Sequence, residues 1–315
     1  MNPSLRDRVV GELGRVVVNK ERETELLLSA LLAGGHVLLE GVPGVSKTLL
    51  TKTFSRCLEL DFQRVQFTPD MLPLDIVGGF IFDLKEREFE FRKGPVFTNI
   101  LLADEINRAP PKVQSALLES MQEGQVTIEG RTEALPSPHM VIATQNPIEF
   151  QGVYPLPEGQ LDRFMLKITL GYPSPETESE VIRRNILPSS SSSGALTAVG
   201  VVSRLDLAQC FREVEEVKVS DEVIGYVARL AQATRSDERV ALGASPRAVV
   251  HLTRCARARA YIAGRGYVTP DDVKELAVES LSHRLRLKQS VELSGEGVTV
   301  ASVIRDVVDG VEPPR

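Results

Sequence analysis

An α/β fold built on a parallel sheet, followed by a small helical domain, is predicted by three features of this 315-residue chain. Short apolar runs of strand length recur through the first half, amphipathic stretches separate them, and after Leu170 helix-start signals take over. Runs that are apolar on both alternating faces suit a sheet covered by helices on both sides. Alternation of such runs with helical patterns points to a doubly wound core.

The strands are read at His36–Glu40, Phe62–Phe67, Asn99–Asp104, Met140–Thr144 and Phe164–Leu170. Lys112–Glu123 places Val113, Ala116, Leu117, Ser120 and Met121 at helical spacing, with Pro110–Pro111 where a first turn tolerates proline. Two segments break the rhythm. Phe80–Leu84 and Glu88–Arg92 alternate apolar and polar residues around Lys85–Arg87 and read as a hairpin with phenylalanines on one face. Gln125–Leu135 repeats this, with its turn at Gly130. Beyond Leu170, Ser174–Pro175–Glu176 opens a helix ending near Pro188, and Ser189–Ser193 with Gly194 has the composition of a flexible linker. Ser220, Ser245–Pro246 and Thr269–Pro270–Asp271–Asp272 start further helices, and Val300, Val303, Ile304, Val307 and Val308 mark a last amphipathic one. The expected division is an α/β core over 1–173 with inserted hairpins at 80–92 and 125–135, a helix and Ser-rich linker over 174–204, and a helical domain over 205–315.

Composition narrows the function classes. At 42% hydrophobic and 25% charged the chain has the makeup of an ordinary globular protein. Its net charge of −6 argues against binding nucleic acid by whole-molecule charge. Cys57, Cys210 and Cys255 lie far apart without metal-ligand spacing, which fits a reducing compartment rather than a disulfide framework or a structural zinc site. Met1–Arg8 carries charges and no apolar stretch, and no run approaches the roughly 18 apolar residues of a membrane helix, so a cytoplasmic protein is expected. The four histidines are scattered and read as structural.

The chemistry sits at strand ends. Gly41, Val42, Pro43, Gly44, Val45, Ser46, Lys47 and Thr48 follow the first strand directly and precede a helix, the context of a phosphate-binding loop. There Lys47 would bridge the β- and γ-phosphates of a nucleotide and the Thr48 hydroxyl would ligate Mg2+. Ser46 stands where the strict pattern has glycine, which costs backbone freedom if that residue takes a positive φ. The alternative is an ordinary strand–helix turn. A buried strand ending in two carboxylates, Asp104 and Glu105, needs partners for those charges. Magnesium and nucleotide supply them, with Asp104 holding the metal and Glu105 orienting the attacking water; solvated loop carboxylates are the alternative. Asn146 ends another strand and would lie beside the γ-phosphate, although Asn-Pro is also a turn signal. Arg163 follows a loop rich in proline and glycine and could simply pair with Asp162. Arg247 lies at a helix start, where the macrodipole disfavours a cation, so an anionic partner is expected, and phosphate is the natural candidate.

These motifs resemble the MoxR family of AAA+ ATPases. The similarity runs from about Val17 to the end and rests on GHVLLEGVPG at Gly35–Gly44, QFTPDMLPLDIVGG at Gln66–Gly79, LLADEINRAPPKVQSALLESMQE at Leu101–Glu123 and VIATQNPIEFQGVYPLPEGQLDRF at Val141–Phe164. GYPSPE at Gly171–Glu176, GASPRA at Gly243–Ala248 and YVTPDDV at Tyr267–Val273 extend it. The resemblance implies strand order 5-1-4-3-2, an all-α lid, nucleotide bound between core and lid, and assembly into a ring, commonly a hexamer. It makes Gly41–Thr48 the Walker A loop, Asp104 and Glu105 Walker B, Asn146 sensor 1, Arg163 the arginine finger and Arg247 sensor 2. The hairpins become the helix-2 insert and the pre-sensor-1 hairpin, and Val17–Asn19–Lys20 falls where the family often has Val-Gly-Gln near the adenine. It further implies a chaperone coupling ATP hydrolysis to maturation or metal insertion in a partner complex, often beside a protein with a von Willebrand factor A domain.

Three functions compete at this point. The first is a hydrolysing ring motor acting on proteins, and the second a nucleotide-gated binding module with weak hydrolysis, suggested by Ser46. The third is a nucleic-acid motor, which the mixed charges of Lys85–Glu88 and Glu129–Glu133 disfavour.

Overall fold

The computed structural model describes residues 4–42, 44–83, 85, 87–146, 152–186, 198–293 and 297–314. The Ser189–Ser193 linker and Pro43 lie outside the described residues. Five parallel strands form the central sheet: β1 (Val37–Gly41), β2 (Phe62–Gln66), β3 (Ile100–Asp104), β4 (Met140–Gln145) and β5 (Leu166–Leu170). Their spatial order is β2-β3-β4-β1-β5, the 5-1-4-3-2 order that the resemblance implies.

Alternation along the strands explains why both faces of this sheet are covered. Val37 and Leu39, Ile100 and Leu102, Met140 and Ile142 join one apolar cluster. Leu38, Leu101, Ala103, Val141 and Ala143 join a second cluster on the opposite face. Helices α1 (Leu5–Val16), α2 (Glu21–Leu32) and α3 (Lys47–Cys57) supply the first cluster, and α4 (Pro111–Glu123) the second. One expectation fails at β2. Gln63, Arg64 and Gln66 are exposed, because β2 is an edge strand paired only with β3, and only Phe62 and Val65 of this strand pack on the apolar clusters.

Both hairpins form, with Leu84 and Glu86 of the first lying outside the described residues. Gly78–Asp83 pairs antiparallel with Glu88–Lys93, putting Phe80 opposite Phe91 and Phe82 opposite Phe89 with ring centroids 5.4 and 5.2 Å apart. Gln125–Ile128 pairs with Arg131–Ala134 across Glu129 and Gly130, both at positive φ, as a tight two-residue hairpin turn requires. The Arg131 guanidinium lies 5.1 Å from the Phe80 ring centroid, so the two hairpins touch.

The helical region comprises α5 (Pro175–Ile186), α6 (Arg204–Glu216), α7 (Asp221–Ser236), α8 (Pro246–Ile262), α9 (Pro270–Leu281) and α10 (Val300–Gly310). Ser220, Ser245 and Thr269 cap helices as the sequence predicts. Val240–Leu242 and Arg286–Leu287 add a short antiparallel ladder to an otherwise helical unit. Leu252, Cys255 and Ala256 of α8 share the cluster of Leu27 and Leu31 of α2, so this unit is joined to the core by apolar packing. Among the described residues no helix is long and apolar enough to cross a membrane.

Each histidine is held as a structural group. His36 Nδ1 accepts from the Val141 N–H at 3.0 Å, which leaves Nε2–H to donate to the Met121 carbonyl at 2.9 Å. Burial pushes the His36 pKa down to about 4, with His139 adding to it, and burial together with Arg284 pushes His251 to about 3. The unfolded chain therefore takes up protons near pH 6.5 that the fold refuses. Stability is complete above that pH and is lost as pH falls from about 6.5 toward 4. His36 alone accounts for roughly 3 kcal/mol at the acid end, at about 1.4 kcal/mol per pH unit. Melting temperatures measured from pH 7.5 to 4.5 should fall below pH 6.5, with a shallower slope in His36→Asn; a flat profile would contradict the assignment.

Candidate nucleotide site and the arginine face

The carboxyl ends of β1, β3 and β4 are neighbours, and strand register brings their chemistry level. Glu40 lies beside Gln145 and Ala103 beside Ala143, so Gly41, Asp104 and Asn146 emerge along one edge of the sheet. Adjacent strands are about 4.8 Å apart, which puts the three ends within roughly 10 Å.

After Gly41 the chain turns into α3. A Cβ on Gly41 would lie 2.7 Å from the Leu170 carbonyl oxygen, so only glycine fits there. Gly44 has φ 85° and Ser46 has φ 62°, both left-handed. The serine thus occupies the conformation that the glycine of the strict pattern takes freely, at a cost of about 1–2 kcal/mol for a residue with a Cβ. Lys47 and Thr48 open α3, and the Lys47 ammonium donates to the Gly41 carbonyl at 2.8 Å.

Asp104 is buried, and both its oxygens are engaged. Oδ1 accepts from the Thr144 hydroxyl at 2.6 Å, while Oδ2 accepts from Arg64 Nε and Nη2 at 3.0 and 2.7 Å. Thr144 also accepts from the Glu105 N–H at 2.8 Å, tying the strand of Asn146 to both carboxylate residues. Glu105 is left-handed at φ 57°, a strained backbone that lifts its side chain away from the strand line. Gln66 Nε2 donates to Glu105 Oε2 at 2.7 Å and Arg108 Nε lies 2.9 Å from it. Gln114, buried in α4, donates to the Ile106, Ala109 and Tyr154 carbonyls and so fixes the loop behind Glu105. Asn146 is buried at the end of β4.

The two arginines lie elsewhere. Arg163 precedes β5, and β5 runs parallel to β1 from Val37–Leu166 to Gly41–Leu170. Arg163 is therefore at the amino edge of the sheet, about 16 Å or more of strand away from Lys47. Its Nη1 donates to the Leu118 carbonyl at 2.7 Å, and it lines a cleft of about 320 Å³ with Ser115, Glu119, Gln122 and Gln160. Arg247 sits 3.8 Å from Asp162, so a carboxylate of the same chain supplies it with an anionic neighbour. Asp162 also accepts from Ser245 Oγ at 2.8 Å and pairs with Arg284 Nε at 3.0 Å. Arg284, nearly fully buried, further donates to the Asp162 and Phe164 carbonyls and locks the loop that presents Arg163. The alternative pairing of Arg163 with Asp162 is thus replaced by Arg247 and Arg284.

Five of the residues anticipated from sequence, Lys47, Thr48, Asp104, Glu105 and Asn146, gather at one edge, and Arg163 and Arg247 share another face. Arg64, Gln66, Thr144, Gln114 and Arg284 are additions. Arg64 and Gln66 were detectable as alternate polar residues on one face of a supposedly apolar strand, and Thr144 as the polar residue of an apolar one. Near the expected adenine position, Asn19 takes φ 51°, as a glycine would, and its amide donates to Thr177 Oγ1 at 2.5 Å.

Residues 36–166 match the model of the ATPase family associated with various cellular activities (AAA), and residues 232–307 match an AAA lid domain. Chaperone MoxR1 of Mycobacterium tuberculosis is 46% identical over 98% of this chain and 82% of its own length. The uncharacterized protein YeaC of Bacillus subtilis is 44% identical over 98% and 95% of the two chains. Protein MoxR of Methylorubrum extorquens is 30% identical over 96% and 93%. A crystal structure from Cytophaga hutchinsonii, of a protein inferred to be an ATPase, superposes with a TM-score of 0.89 at 42% identity, covering 98% of this chain and 96% of that one. On its sheet order, its strand-end residues and these similarities, the chain belongs to the MoxR family of AAA+ ATPases.

Proposed function

We propose that this chain is an ATP-hydrolysing chaperone that works as a cytoplasmic ring, with six subunits, and uses hydrolysis to remodel or mature partner protein complexes, metal loading among them. A partner with a von Willebrand factor A domain fits the same reading. One observation carries it: the catalytic set is split between two edges of the sheet, so a complete site needs a second chain.

The residues fit Mg2+–ATP. Thr48 and Asp104 are oxygen donors of the kind a hard cation takes, and a guanidinium already stands against Asp104 as a cation would. Magnesium, when bound, would neutralise charge on the β- and γ-phosphates. Lys47 and the backbone N–H groups of Gly44–Thr48 would hold the phosphates. Glu105 would orient and polarise the attacking water, and Asn146 would fix both water and γ-phosphate. Arg163 and Arg247 would reach the nucleotide of the neighbouring chain from their shared face. Arg247 enters here as a residue acting across the interface, in place of one closing over its own nucleotide between core and lid.

The left-handed Ser46 favours a second reading, a nucleotide-gated module that scarcely hydrolyses. Multiple-turnover phosphate release separates the two. The unsubstituted protein should turn over ATP in a Mg2+-dependent way, and Ser46→Gly should tighten nucleotide binding by at most about thirtyfold, the equivalent of releasing the whole of that strain on binding. Turnover seen only in Ser46→Gly would favour the binding module. Salt-sensitive stimulation by DNA would favour a nucleic-acid motor.

A further inference from the structure

Arg64 has no place in the site as the family motifs describe it, yet it makes the closest charged contact to the metal-holding carboxylate. It lies in the middle of β2, beside Leu102 of β3, and both its Nε and Nη2 converge on Asp104 Oδ2 at 3.0 and 2.7 Å. The other oxygen of Asp104 is taken by Thr144. A guanidinium and a hydrated magnesium ion are both cations seeking the same oxygen, and at such separations their repulsion is large in a partly buried site. The arrangement with Arg64 on Asp104 and the arrangement with Mg2+ at Asp104 therefore exclude each other.

The contact does not end at Asp104. Arg64 Nη2 also donates to Gln66 Oε1 at 2.8 Å, and Gln66 Nε2 donates to Glu105 Oε2 at 2.7 Å. Asp104, Arg64, Gln66 and Glu105 thus form one continuous chain of hydrogen bonds, running from the metal-holding carboxylate to the water-orienting one. The Gln66 amide is fixed at both ends, its oxygen toward the cation and its nitrogen toward the carboxylate.

Building on the proposed function, we propose that Arg64 is a positioning residue: an internal counter-ion that occupies Asp104 until Mg2+–nucleotide displaces it. Displacement frees Gln66 Oε1 and, through Gln66, loosens the hold on Glu105. Arg64 keeps the buried carboxylate compensated in the empty site, where an unpaired charge would be costly. The same pairing lowers the apparent affinity for magnesium by the fraction of molecules in which it is closed. Half of the Arg64 side chain faces solvent, so the displaced guanidinium has water to enter.

The test is a magnesium titration of the full chain at a fixed, saturating concentration of a fluorescent ADP analogue, which no hydrolysis complicates. Arg64→Met, of similar length and without charge, should lower the half-saturating Mg2+ concentration about tenfold and lower the melting temperature of the metal-free protein. If Arg64→Met does not fold, as judged by circular dichroism, Arg64→Lys retains a charge but loses the paired contact on Oδ2, and its midpoint should fall below that of the unsubstituted chain by a smaller factor. Asp104→Asn should erase the effect of Arg64→Met, so that the single and double variants share one midpoint, since the carboxylate charge for which the two cations compete is gone. An unchanged or raised midpoint in a folded Arg64 variant overturns the proposal and leaves the ATPase reading standing. Absence of any Mg2+-dependent nucleotide binding by the unsubstituted chain overturns both.

Discussion

Mixing two inactive variants, Arg163→Ala and Lys47→Ala, is expected to restore ATP hydrolysis. Alone, Arg163→Ala should bind nucleotide nearly normally and lose about 10³–10⁵ in turnover, the range over which an arginine finger acts. Lys47→Ala removes the ammonium that caps the loop at Gly41 and should fail at binding. If Arg163 serves the neighbouring chain, a mixed ring contains pairs in which Lys47 of one chain meets Arg163 of the next. In an equimolar random mixture these make up roughly a quarter of the neighbouring pairs, a consequence of head-to-tail ring symmetry. Phosphate release by the mixture should approach that fraction of the unsubstituted rate. Were Arg163 to serve its own chain, no chain in the mixture would hold both residues and activity would stay absent. The strand register already disfavours that case, because Arg163 and Lys47 stand at opposite ends of β5 and β1.

The arginine face also shows what the sequence could and could not convey. Strand ends are legible because burial demands apolar runs and the chain direction fixes which residue emerges last; Gly41, Asp104 and Asn146 follow from this alone. Hairpins are legible because period-two alternation places Phe80, Phe82, Phe89 and Phe91 on one face. Arg247 was legible as a cation needing an anion, but the identity of that anion depends on which surface the lid packs against. That surface is set by apolar contact between α8 and α2, far apart in sequence, and it delivers Asp162. Arg64 was hidden for a related reason. Edge strands tolerate polar side chains that central strands do not, and strand order is invisible to a reading of local periodicity.

Glu105→Gln should reduce turnover by about 10²–10⁴, the contribution of a positioned general base, while nucleotide binding persists. The substitution is nearly isosteric, and three local features argue that the site survives it. The backbone of residue 105 is held by the Thr144 hydroxyl rather than by the carboxylate, so its left-handed turn remains anchored. Gln66 Nε2 donates to an oxygen at this position, and an amide oxygen accepts that bond as a carboxylate does. Arg108 loses a charged partner that is partly solvent-exposed, a change worth at most about 1 kcal/mol. What disappears is the capacity to polarise water, since an amide does not accept a proton at neutral pH. Single-turnover phosphate release and equilibrium binding of a fluorescent ATP analogue, measured on one preparation, separate the two effects. The expected result is retained affinity with stalled hydrolysis, so that ATP accumulates on the protein. Hydrolysis at the unsubstituted rate would remove Glu105 from the chemistry and transfer the role of base to another group near the end of β3.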